Sequence, residues 1–516
     1  MFSTTISGAL KGVEGILLQI EVDVSNGLPC LEMVGLLGSE VKEAKERVRA
    51  AIKNLGITLP PKRIVVNLSP ANVRKVGTAY DLPIAIGILK SIGVLPIDCT
   101  EKMLLLGELG LDGSIKPVTG VLPILKRAKD EGVMMCILSE ENTKEACFFP
   151  KMQVFGFESL KKLLYYLQKK ETISPCHFAD NRQEVMRKGP CFEEIIGQQS
   201  GKRAALISAA GGHNLLYIGA PGTGKTMLIK AMPSILPPLS EEEKLQVASI
   251  QSAIGGYTDT ASFQVERPFV EVHHSATTAA LLGGGIIPKA GAITMAHKGV
   301  LFLDELPEFR RTVLDAMRQP LEEKQISFMR SGLAYTFPAD IMLVAAMNPC
   351  PCGHYPDKNK CICLPHQVRK YVGHISGPIL DRIDVVAETV SMESAHRQQE
   401  KSYKEAVTSE TMRKQVEMAR KLQEERYRSV FGKQEEFKCN GSLSSAEIEK
   451  ICSLDAKAEK FFNRLWQKFS MSGRGCYSLL KVARTIADLE ESESVGEGHL
   501  AEAAGYRLGF ERYFYG

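Results

Sequence analysis

"NLLYIGAPGTGKT", residues 214–226, joins an apolar run to a glycine-rich loop. Leu215–Ile218 has the character of a buried strand. Gly219, Ala220, Pro221, Gly222, Thr223 and Gly224 follow as a loop whose backbone N–H groups can curl around phosphate oxygens, and the helix after it presents its positive end. Lys225 is spaced to reach the β- and γ-phosphates, and the Thr226 hydroxyl to ligate Mg²⁺. Strand, loop and helix in this order predict a nucleoside triphosphate site, with ATP and Mg²⁺ as cofactors.

About 80 residues on, "GVLFLDELPEF" is a second apolar strand, ending in Asp304 and Glu305. Asp304 is placed to hold the magnesium and Glu305 to polarise an attacking water. A third strand, "IMLVAAMNP", ends in Asn348, which either orients that water or simply closes a strand. In "ISGPILDRIDVV", Arg382 stands between two aspartates; alone it reads as a surface ion pair, yet an arginine facing a neighbour's γ-phosphate is worth roughly 10³–10⁵ in turnover. Arg484, in "KVARTIADLE", lies on a helix whose Leu480, Ala483 and Ala487 face inward.

The rest of the chain frames this site. At 516 residues it is too long for one core. With 44% hydrophobic and 24% charged residues it is an ordinary globular composition, and a net charge of +4 neither demands nor excludes a polyanion. No apolar run approaches the roughly 20 residues of a membrane helix, and no signal peptide opens the chain, which predicts a cytoplasmic protein with reduced thiols.

Residues 1–168 alternate strand-like runs ("GILLQIEVDVS", "RIVVNLS") with a helix carrying Val41, Ala44, Val48, Ala51, Ile52 and Leu55 at helical spacing, capped by Ser39. They predict a compact α/β domain. Residues 169–190 lose periodicity, as a linker does. Residues 191–395 form the nucleotide-binding α/β core, and 396–516 are helical and charged.

Thirteen cysteines scatter along the chain except for "CPCGHYPDKNKCIC", residues 350–363. Cys350, Cys352, Cys361 and Cys363 form two close pairs across a short loop. Four thiolates so arranged suit a structural, tetrahedral Zn²⁺; free thiols sharing a loop are the other reading. A metal here would fix a loop that starts two residues after Asn348 and leads towards Arg382.

"AGGHNLLYIGAPGTGKTML", "HKGVLFLDELPEF", "RQPLEE", "NPCPCG", "ISGPILDRID" and "VARTIADL", in that order, resemble the signatures of the ComM/YifB-type magnesium-chelatase-like AAA+ ATPases, over nearly all of the chain. The resemblance implies a Lon-protease-like N-terminal domain, a P-loop AAA+ core with a parallel sheet, and a C-terminal helical lid. It implies Gly219–Thr226 as Walker A, Asp304 and Glu305 as Walker B, Asn348 as sensor 1, Arg382 as the finger acting in trans and Arg484 as sensor 2. It further implies hexameric rings with nucleotide at each subunit junction, and a DNA motor driving branch migration in homologous recombination and natural transformation, with single-stranded and branched DNA as partners and no membrane.

Two insertions that point into the pore of such motors match Ile250–Ile293, with "HHSATTAALLGGG", and the hairpin "ISFMRSGLAYTFPADIMLV", whose tip carries Arg330, Ser331 and Gly332. Arg330 there would track a phosphate backbone with little sequence preference; otherwise it is a solvated hairpin-tip charge. His273 and His274 receive no role. The family usually has Arg and Pro where Val270 and Val272 stand, and Arg at His374. In the N-terminal domain "GTAYDLPIA" lacks the serine of a Lon dyad and Val121-Leu122-Pro123 lacks its lysine, so peptide cleavage has no nucleophile. Asp81 is expected to bond within that turn. The alternatives are the motor subunit of a Mg²⁺ or Co²⁺ chelatase, an ATP-dependent protease, or an ATP-driven protein remodeller.

Overall fold

The computed structural model describes residues 1–176, 189–255, 265–330, 332–357, 359–390, 408–432, 435, 437–469 and 471–508. The expected linker, 169–190, therefore lies largely outside the described residues, as does Ser331.

The first unit is a seven-stranded mixed sheet. Its strands are β1 (Phe2–Lys11), β2 (Glu14–Ser25), β3 (Cys30–Val34), β4 (Arg63–Ser69), β5 (Met103–Leu105), β6 (Met135–Ser139) and β7 (Gln153–Phe157), in the order β3-β4-β2-β1-β5-β6-β7. β4 buries every second residue, the period-2 signature of a sheet with one face on the core. Helix α1 (Ser39–Asn54) buries Val41, Ala44, Val48, Ala51 and Ile52 as its spacing demands. Ser39 is not its cap: Gly38 takes that position and Ser39 is already helical.

Helix α2 (Asp81–Ser91) is buried at every residue, so the greasiest stretch of the chain is a core helix. The Asp81 amide bonds Thr78 O within its turn (3.3 Å), and its carboxylate reaches beyond it. It accepts two hydrogen bonds from Arg47 (2.6 and 3.0 Å) and one from the Leu109 amide (3.2 Å), which is how a carboxylate with no exposure is compensated. Helix α3 (Val121–Asp130) joins this unit to the next.

The second unit is a five-stranded parallel sheet: β8 (Leu215–Ile218), β9 (Phe269–Val272), β10 (Val300–Leu303), β11 (Met342–Met347) and β12 (Val385–Glu388), ordered β9-β10-β11-β8-β12. Strands β8, β10 and β11 are buried throughout, as continuous apolar runs in a parallel sheet covered on both faces must be. Helices α4 (Gln199–Gly211), α5 (Lys225–Ala231), α6 (Glu241–Ala253) and α7 (Pro365–Val372) belong to this unit. Ser252 of α6 ties it to the first: its hydroxyl bonds Glu145 (2.5 Å) and its carbonyl accepts the Gly120 amide (3.0 Å).

The C-terminal helices include α8 (Ser409–Phe431) and α9 (Gly473–Leu489), both packed on α4 and sharing its apolar core. The fold class is the expected one, α/β with a parallel-sheet core and a helical C-terminal region. Among the described residues no helix is long and apolar enough to cross a membrane.

Candidate functional site

Parallel strands deliver their C-terminal ends to one edge of the sheet, where open α/β folds bind ligands. Ile218 stands level with Met347, and Leu303 with Ala345 and Val272. The residues that follow these strands are thereby gathered: the P-loop after β8, Asp304 and Glu305 after β10, Asn348 after β11, and His273 and His274 after β9.

Glycine is required in the loop for two different reasons. Gly222 and Gly224 have φ of 75° and 86°, where a side chain is strained. Gly219 has no room for a Cβ, which would collide with Thr389 Oγ1. Thr223 Oγ1 bonds the same Thr389 hydroxyl at 2.6 Å. Gln198, buried, clasps the loop from the other side: its amide donates to the Thr223 carbonyl (3.0 Å) and to Val390 O (2.7 Å).

Lys225 Nζ donates to the Gly219 and Ala220 carbonyls (2.7 and 2.9 Å) and to Asn348 Oδ1 (3.2 Å). Burial lowers its pKa to about 8, against the opposing pull of Asp304 and Glu305, so an incoming phosphate would meet an ammonium short of negative charge. Thr226 Oγ1 lies 3.4 Å from Asp304 Oδ2, and the Glu305 amide donates to Asp304 Oδ1 at 2.9 Å. Threonine hydroxyl and carboxylate side by side are the hard oxygen donors Mg²⁺ takes. Glu305 has a left-handed backbone (φ 53°), and its carboxylate meets His274 Nδ1 at 3.2 Å. His274, left without a role by the sequence, thus joins the site because β9 lies next to β10.

Arg382 is at the opposite edge. It precedes β12, and its carbonyl accepts from Asn214, which precedes β8. The four-residue strand β8 separates that level from Gly219, a span of about 13 Å. The Arg382 guanidinium donates to Arg318 O (3.1 Å) and Pro378 O (2.7 Å) and pairs with Glu322 at 2.5 Å. Arg474, at the exposed start of α9, reaches the same Glu322 at 3.6 Å. Two arginines therefore meet on one carboxylate, a pairing the sequence did not reveal.

Arg484 goes elsewhere. It is fully buried, and bonds Asp488 (3.1 Å), Glu493 O (2.9 Å) and Ser492 O (2.5 Å), all in the C-terminal helical region. A buried guanidinium needs such partners. Among the described residues, the Arg484 guanidinium faces Asp488 and the 492–493 carbonyls.

The four cysteines converge as expected, with all four sulfurs within 4.8 Å of one another. Cys350 lies 3.4 Å from Cys352 and 3.8 Å from Cys361, and Cys352 lies 3.6 Å from Cys361. Tetrahedral zinc with sulfur at about 2.3 Å has S–S edges of about 3.8 Å, so the set fits. Backbone N–H groups of His354 and Ile362 lower the Cys352 thiol to about 6, whereas burial raises those of Cys361 and Cys363.

Family models for magnesium chelatase match most of this chain: "Magnesium chelatase, subunit ChlI" over residues 191–397, "Subunit ChlI of Mg-chelatase" over 20–142 and "Magnesium chelatase, subunit ChlI C-terminal" over 406–507. The chain is 41% identical to the uncharacterized protein YifB of Salmonella typhimurium over 508 residues, covering 97% of this chain and 96% of that protein. It is 40% identical over 504 residues to the competence protein ComM of Haemophilus influenzae, with the same coverage. The chain belongs to the ComM/YifB family of magnesium-chelatase-like proteins. A more distant likeness, 26% over 265 residues, links half of this chain to a quarter of the DNA replication licensing factor mcm6 of Dictyostelium discoideum.

Within this ComM/YifB-type chain the two insertions meet. The hairpin Gln325–Arg330 and Leu333–Pro338 pairs in register from Gln325↔Pro338 to Arg330↔Leu333. Arg330 is exposed at its tip and donates to Gly285 O at 3.4 Å, in the turn between the short strands Gly283–Gly284 and Lys289–Ala290. Met329 and Ile286 stand exposed beside it. Of the departures from the family pattern, His374 uses Nδ1 on Pro307 O (3.1 Å) and Val272 is buried at the end of β9.

Proposed function

We propose that this chain is an ATPase that assembles into a hexameric ring and acts as a motor, moving single-stranded and branched DNA in competence-related recombination. The observation that carries this reading is that Arg382 and the P-loop lie at opposite ends of the parallel strands. Lys225, Thr226, Asp304, Glu305 and Asn348 stand at one edge, while the Arg382 backbone lies at the other, about 13 Å back along β8, and its side chain shares Glu322 with Arg474. In a ring, a neighbour would bring its Arg382 to this chain's nucleotide.

The chemistry follows from the donors. Lys225 leaves the loop carbonyls for the β/γ-phosphates, and the P-loop amides take the phosphate oxygens. Thr226 and Asp304 would hold Mg²⁺, whose contribution is to neutralise charge between the β- and γ-phosphates. Asn348 and Glu305 orient and polarise the attacking water, and the neighbour's Arg382 meets charge developing on the transferred group. The four thiolates would hold a structural Zn²⁺.

DNA as substrate rests on the competence name of the Haemophilus relative, the partial likeness to the licensing factor, and the exposed tip carrying Arg330. A labelled four-way junction incubated with protein and ATP tests it: the parent moves the branch, whereas Lys225→Ala and Glu305→Gln do not. A parent that hydrolyses ATP yet leaves every junction intact overturns the DNA reading. The family-model descriptions favour a second reading, the motor subunit of a metal chelatase, which would require ATP-dependent metal insertion into a tetrapyrrole with a partner subunit.

A further inference from the structure

The cysteine loop does more than lie near the nucleotide site; it touches the P-loop. Cys350 follows Asn348 by two residues and is buried in the same apolar layer as Ile218 and Met347. Its carbonyl accepts the Gly353 amide at 3.0 Å, which turns the chain back at a left-handed Gly353 (φ 82°). That turn is seated on Pro221: a Cβ at Gly353 would lie 2.8 Å from Pro221 Cγ and closer still to Cδ. No real side chain fits there, so the loop backbone and the proline ring are in direct contact.

The far end of the loop is also tied to the site. Helix α7 begins at Pro365, two residues after Cys363. Tyr371 of this helix packs against the same apolar layer as Met347 and Cys350, and His374, just beyond the helix, holds the carbonyl of Pro307, two residues after Glu305. The loop thus touches the P-loop, the Asn348 turn and the segment after Glu305. Between these anchors its shape is held by four sulfurs within 4.8 Å and a few turn hydrogen bonds.

We propose that the metal ion held by Cys350, Cys352, Cys361 and Cys363 buttresses the P-loop through Gly353 and Pro221, so that metal binding and nucleotide binding are thermodynamically linked. This rests on the reading of the cysteines as a metal site and of the P-loop as a nucleotide site. With the thiolates drawn together, Gly353 fixes the position of Pro221 and hence of the amides on either side of it. With the metal removed, the loop loses its cross-link and the P-loop must be ordered by the nucleotide itself, which weakens binding. Linkage is reciprocal: whatever factor the metal adds to nucleotide affinity, nucleotide adds to metal affinity.

The test uses the full-length protein loaded with zinc, with metal content measured first. Affinity for a fluorescent ATP analogue with Mg²⁺ is compared before and after zinc removal by a chelator, with circular dichroism confirming that the protein stays folded. Zinc transfer to a colorimetric chelator is then timed with and without a non-hydrolysable ATP analogue. Removal should weaken nucleotide binding about tenfold, within the usual range of such couplings, and bound nucleotide should slow zinc loss. Gly353→Ala is the second arm: it keeps all four thiols and one zinc per chain, but displaces Pro221 and should weaken nucleotide binding by itself. Equal nucleotide affinity in the zinc-loaded, zinc-free and Gly353→Ala proteins overturns the proposal. A parent protein without zinc overturns it through the metal reading, and a zinc-loaded parent that binds no nucleotide does so through the nucleotide reading, so the three failures are told apart.

Discussion

Glu305 is held by little. Its side chain is exposed, its backbone is left-handed, and the His274 ring at 3.2 Å is what its carboxylate meets. A carboxylate freed from such a partner samples rotamers that do not point at the attacking water. His274→Ala should therefore lower kcat for ATP by about tenfold to a hundredfold while leaving nucleotide affinity unchanged, and His274→Gln, which keeps a donor, should retain more activity. Steady-state ATPase measurements beside nucleotide titrations decide it; a shift in affinity with unchanged kcat would assign the histidine a binding role instead. The two arginines of α9 separate in the same manner. Arg484→Ala leaves Asp488 to Arg426 and Asn440 but orphans the Ser492 and Glu493 carbonyls, and should lower stability by about 2 kcal/mol, read as a lower Tm. Arg474→Ala, at an exposed helix start, should leave Tm unchanged and lower only the ATPase of the assembled protein. Gly219–Thr226 was legible because phosphate binding demands contiguous residues in a fixed pattern. His274, Gln198 and Arg474 were not, because their contacts depend on which strands and helices become neighbours.

At the scale of elements, strands declared themselves by composition and ends did not. The hairpin around residue 330 and the buried runs of β8, β10 and β11 follow from alternation and apolar length, whereas the cap of α1 passed from Ser39 to Gly38. What alternation cannot show is that the hairpin tip would rest against the Gly285 turn, making one exposed knob of Arg330, Met329 and Ile286. A knob with one cation and two apolar side chains grips a strand by one phosphate and by contact with bases or sugars. Arg330→Ala should thus weaken DNA binding uniformly across sequences and reduce the slope of log affinity against log salt by about one. Fluorescence anisotropy over a salt series measures this, and an unchanged slope would remove Arg330 from the phosphate contacts.

At the scale of the molecule, the parallel sheet decides what one chain can do alone. Because β8 and β12 run the same way, the P-loop must leave one edge and Arg382 must enter at the other. The order of the motifs was legible in the sequence, but their division between two edges was not, since order along a chain carries no direction in space until strand pairing is known. If the catalytic unit is a junction between subunits, two inactive variants should repair each other. Lys225→Ala keeps an intact Arg382 and Arg382→Ala keeps an intact Lys225. In rings mixed at random from equal amounts, about a quarter of the junctions set a good Lys225 against a good Arg382. ATPase activity should accordingly rise on mixing, from near zero for either variant alone to about a quarter of the parent value. A site completed within one chain predicts no recovery at any mixing ratio, because each chain would carry its own defect into every site.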